Sequence, residues 1–102
     1  MSSGPTTAER GAARATVGAY HQAELAKLIE HLRDTLARYD AGDVDAFEFD
    51  EIVHRYRRAT QKLWSFCTRS SAMSSAGAIE WLREEGEAPD WWEQGASRRM
   101  RV

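Results

Sequence analysis

Two short stretches carry residue types that could do chemistry. "DAGDVDAFEFDE", Asp40 to Glu51, has twelve residues with an acid at each end, the outline of a calcium loop. "EIVH", Glu51 to His54, has the Glu-x-x-His spacing that di-iron bundles project into their cores. The loop fails on register. An EF-hand loop needs oxygen ligands at its first, third and fifth positions, glycine at the sixth and a bidentate Glu at the twelfth. Here the third, fifth and sixth positions are Gly42, Val44 and Asp45, so only Asp40 and Glu51 land correctly. Moving the frame to Asp43 puts His54 at the twelfth position, which is worse. A turn explains the same residues better. Gly42 suits the left-handed end of one helix. Asp45 and Glu48 have the spacing of a capping box for the next, and Val44 and Phe49 that of a hydrophobic staple.

The metal spacing fails on geometry. At about 100° per residue, the apolar stripe of the second helix centres near Phe49, Tyr56 and Cys67, and Glu51 and His54 face the other way. They read as solvent-facing, with Glu51 in reach of Arg55 one turn on. Glu24 or Glu30 would have to supply the lone carboxylate of such a site. On the first helix His21 lies in line with Leu25, Leu28 and Leu32, flanked by Glu24 and His31, and reads as a cap or packing group. Cys67 falls on an apolar stripe and reads as a buried, inert thiol. No Ser, His and Asp grouping suggests a triad. "SSAG" lacks both the spacing and the following Lys of a phosphate loop. The expectation is no catalytic residue, no metal and no cofactor, hence no enzyme.

Two surface features remain. Arg55, Arg58, Lys62 and Arg69 line one edge of the second helix, and Arg98, Arg99 and Arg101 follow near the C-terminus. Such a stripe could track a phosphate backbone, although the acids at the head of the same helix oppose it. The second feature is aromatic. Trp64 falls on the core stripe, Phe47 points away from it and Phe66 sits on its flank, while Trp81, Trp91 and Trp92 crowd a short C-terminal region. Either all four tryptophans complete the protein's own core, or surplus aromatic surface marks a partner site, with Phe47, Phe66, Trp81, Trp91 and Trp92 as the candidate partner contacts.

Helices must position all of these residues. Apolar residues at Leu25, Leu28, Ile29, Leu32, Leu36 and Tyr39 predict a helix from Tyr20 to Asp40, and Phe49 to Cys67 predict another from Ala46 to about Thr68. "AIEWLREEG" predicts a shorter third helix, capped at Ser74 or Ser75 and stopped at Gly86. "PDWWEQG" predicts a single turn begun at Pro89 and Asp90. The expected organisation is a flexible tail over 1–18, a helical domain over 19–95 and a basic tail over 96–102. The expected fold is an all-α antiparallel helical hairpin plus a shorter third helix, its remaining apolar surface covered by that helix, by a second copy of a chain this short or by another protein. A net charge of −2 does not steer polyanions. One cysteine forms no internal disulfide, and no apolar run suits a membrane span or signal peptide. A cytoplasmic location is therefore expected.

The run "ARYDAGDVDAFEFDEIVHRYRRATQKLWSFC", with the later "WLREEGEAPDWWEQG", resembles short uncharacterised helical proteins of actinobacteria over about residues 20 to 95. The resemblance implies a helical fold and carries no activity or site residue. The functional expectation is a non-enzymatic interaction module or accessory subunit that binds another protein or a second copy of itself. A nucleic-acid-binding regulator ranks second and a metal-binding bundle third.

Overall fold

The acidic stretch at the middle of the chain folds as its residues dictate. Gly42 takes φ 82°, and the Asp43 N–H donates to the Arg38 carbonyl at 2.8 Å, closing one helix. Asp45 opens the next: Glu48 N–H donates to Asp45 Oδ1 at 2.8 Å and Asp45 N–H to Glu48 Oε1 at 3.0 Å. Both partners of the capping box are present. Beside the turn, the rings of Tyr39 and Phe49 meet edge-on at 5.7 Å. The acids turn the chain.

The computed structural model describes residues 4–86 and 88–97. It is an all-α bundle of α1 (Thr7–Asp40), α2 (Ala46–Thr68), α3 (Ala72–Glu85) and the single turn α4 (Trp91–Gln94), with no strand among the described residues. Two boundaries differ from expectation. Helix α1 begins at Thr7, inside the stretch expected to be a tail, because Thr6 and Glu9 form a second reciprocal capping box. Between this box and Tyr20 lie four alanines, the best helix formers, against Gly11 and Gly18. Helix α3 is capped by Ser71, not Ser74 or Ser75. Gly86 ends it in the left-handed conformation, φ 71°. Of the expected basic tail, Arg98 to Val102 lie outside the described residues.

With 34 residues against 23 for α2, α1 projects past the far end of its partner. There α3 covers it: Ser71, Ala72 and Met73 share a hollow with Pro5, Arg10 and Arg14. The core is Tyr20, Leu28, Ala59, Leu63, Cys67, Ile79 and Trp91, with Val17, Leu25, Tyr56, Phe66 and Trp92 packed on it. The inward face of α1 is thus rotated from the expected stripe. Tyr20, Glu24, Leu28 and Thr35 are buried, whereas Ile29, Leu36 and Tyr39 keep more than a third of their surface in solvent. Helix α1 must face α2, α3 and α4 at once, and these lie together to one side of the apolar residues' centre.

Candidate functional site

The C-terminal segment is built into the fold by the basic edge of α2. Arg55 Nε donates to the Trp92 carbonyl at 3.0 Å, Arg58 Nε to Gly95 O at 2.8 Å and Lys62 Nζ to Gln94 O at 2.6 Å. Carbonyls at the end of a helix run short of helical N–H partners, and the α2 side chains supply donors here. Arg55 also pairs with Glu93 at 3.1 Å, in place of the expected Glu51. The segment lies close to α2, since a Cβ on Gly95 would stand 2.7 Å from Ala59 Cβ and 2.8 Å from Arg55 O.

The aromatics of this segment point inward. Trp91 is buried, its Nε1–H donates to Tyr20 Oη at 2.9 Å, and Phe66 lies 5.3 Å from it and 5.7 Å from Tyr20. Trp92 stacks on the His31 imidazole at 4.2 Å and takes the Arg55 guanidinium over its ring at 4.5 Å. Phe66, Trp91 and Trp92, expected as partner contacts, therefore complete the protein's own core. Phe47 and Trp81 do stand in solvent, 84% and 57% exposed, on separate helices.

The four basic residues expected on a phosphate-tracking stripe divide in use. Arg55 is spent on Trp92 and Glu93. Arg58, Lys62 and Arg69 line a groove of about 390 Å³ with Gln61, Ser65, Phe66 and Trp91. Among the described residues no carboxylate lies within ion-pair distance of these three, although Lys27, Arg33, Arg55 and Arg83 each have one. A second cleft, of about 320 Å³, runs between Glu24, Lys27 and His31 of α1 and the segment from Ala88 to Trp92. In it the buried Glu24 is paired with Lys27 at 2.7 Å, a satisfied carboxylate.

The residues weighed for catalysis lie apart. Glu51 and His54 are both exposed, and His54 Nδ1 contacts the Asp50 carbonyl at 2.8 Å. Among the described residues no three His, Cys, Asp or Glu side chains converge as a metal site. Cys67 is buried, and burial, with the Glu24 charge second, pushes its thiol pKa up, away from the thiolate that nucleophilic chemistry needs.

The feature that periodicity misplaced is an apolar flank of the hairpin. Trp64, expected inside, is 60% exposed. Val53 lies three turns before it on the same side of α2, about 200° around the helix from Arg55, and it too is exposed. Leu36, Tyr39, Ala46 and Phe49 line a hollow of about 310 Å³ across the turn, and Ile29 continues the α1 edge two turns below Leu36. The sequence did signal this surface, because two apolar stripes wider than the buried contact leave their margins wet.

Fold and surface together define a class: a small all-α bundle with one apolar flank left in solvent. No helix among the described residues is long and apolar enough to cross a membrane. Neither a scan against protein-family models nor searches of curated proteins and solved structures find a match to the chain. No residue therefore takes a role from a relative.

Proposed function

We propose that the protein is a non-enzymatic interaction module, an adaptor or accessory subunit, and that it docks another protein or a second copy of itself through the outer flank of the α1–α2 hairpin. One observation carries this reading: Ile29, Leu36, Tyr39, Val53 and Trp64 are all exposed on that flank, while the C-terminal tryptophans are used internally. Contiguous apolar surface of this kind marks a partner site. The docking surface thus moves from the C-terminal aromatics to the hairpin. The single buried cysteine favours a cytoplasmic setting.

The test is a double substitution, Leu36→Ser with Trp64→Ser. Sedimentation across a concentration series and co-purification from the host are compared with the unaltered protein. Loss of self-association, or of a co-purifying protein, with helicity unchanged by circular dichroism supports the reading. An unaltered assembly overturns it. Nucleic acid stays second, because Arg55, Arg58 and Lys62 each hold the C-terminal segment and the basic edge is no longer an open stripe.

A further inference from the structure

We propose that the groove between α2 and the C-terminal segment binds a small organic phosphate ester, with Arg58, Lys62 and Arg69 on the phosphate and Phe66 and Trp91 against the apolar body. This site is separate from the docking flank, which lies on the far side of α2.

The first argument is charge. The chain is net acidic, −2, and four of its cations sit on carboxylates at 3.3 Å or less. The three in this groove have none among the described residues. Three like charges around one hollow repel each other, and an anion among them relieves that repulsion.

The second argument is preorganisation. Arg58 and Lys62 are each anchored by one bond to a main-chain carbonyl of the C-terminal segment. A carbonyl accepts a hydrogen bond without cancelling the charge. Arg58 bonds through Nε, so its terminal amino groups still have donors to give, and Lys62 keeps two of its three N–H groups. Ordering entropy for these side chains is already spent in the free protein, which lowers the cost of binding.

The third argument is shape. A volume of about 390 Å³ falls within the range of small-ligand sites. The lining holds no acid, and its neutral donors Gln61 and Ser65 suit phosphate oxygens. Trp91 is mostly buried, so it offers a wall edge and not a free face on which nucleobases could stack. A discrete ester fits this better than a polymer.

The test is calorimetric titration of the full chain at fixed ionic strength with phenyl phosphate, inorganic phosphate and sulfate. Phenyl phosphate is expected to bind at one site, about tenfold more tightly than inorganic phosphate because of the apolar wall. Among the described residues Arg69 makes no side-chain bond that holds the fold, so Arg69→Ala and Arg69→Gln are expected to keep the melting temperature and weaken phenyl phosphate by about tenfold, the share of one charge-assisted contact. No binding, equal binding of all three anions, or affinity indifferent to both substitutions would overturn the proposal. So would oligonucleotides that bind far more tightly than phenyl phosphate and gain affinity with length.

Discussion

Ser75 is a buried serine, 3% exposed, whose hydroxyl has no hydrogen-bond partner. A buried polar group left unpaired costs about 1–3 kcal/mol. Alanine fits the same helix with better propensity. Ser75→Ala is therefore expected to raise unfolding stability by about 1 kcal/mol, read as a higher urea midpoint at unchanged slope. A lower midpoint would mean that the hydroxyl is bonded in solution. Residue-scale legibility was uneven. The capping roles of Asp45, Glu48 and Gly42 followed from spacing, because those interactions reach only three or four residues. Trp64, read as core, is exposed, and spacing alone left Trp91 open between core and partner surface. Spacing identifies the apolar side of a helix but not which strip of that side the neighbours cover. The covered strip of α2 runs through Ala59, Leu63 and Cys67, and Trp64 lies on its margin.

At the scale of elements, the least legible part was the C-terminal segment. "PDWWEQG" reads as one turn, and it is one, but its use depends on residues about 35 positions earlier that no local pattern links to it. Gly95 shows how close the docking is. Its φ of −83° suits any residue, so the constraint is the Ala59 backbone beneath it. Gly95→Ala must push the segment off α2, straining the bonds from Arg55, Arg58 and Lys62. The expected loss is about 1–3 kcal/mol, the range for an overfilled contact. It should appear as faster amide exchange in α4 and a shift in tryptophan emission, with α1 and α2 unaffected. Wild-type stability in this variant would mean that the segment is not held against Ala59. Helix α1 gave the opposite lesson. Its Thr6–Glu9 box is a local signature, yet Gly4, Pro5 and Gly11 suggested a tail, and Gly18 follows within the helix. The alanine content, with burial of Ala13 beside α3, outweighs the two glycines.

At the scale of the whole molecule, two buried weak acids tie the stability of the bundle to alkaline pH. Tyr20 on α1 accepts the Trp91 indole N–H across 71 positions of chain, and Cys67 of α2 lies in the same core. Burial raises the pKa of both, above ordinary values of 10.0 for the phenol and 9.0 for the thiol. For Tyr20 the Trp91 hydrogen bond opposes that shift and the Glu24 charge adds to it. The sign follows from linkage. Below its ordinary pKa each group is neutral both folded and unfolded, and folding is indifferent to pH. Above it the unfolded chain releases the proton while the folded chain holds it, so stability falls as pH rises. The loss should therefore begin near the thiol's ordinary value and steepen near the phenol's, in urea midpoints taken from pH 7 to 11. Cys67→Ala should remove the earlier part. Tyr20→Phe should remove the later part and, by leaving the Trp91 indole N–H unpaired, lower stability at pH 7 by about 1–3 kcal/mol. An alkaline profile identical in the wild type and both variants would show that neither group is shielded from water. The bundle would then lack the closed core that α4 completes.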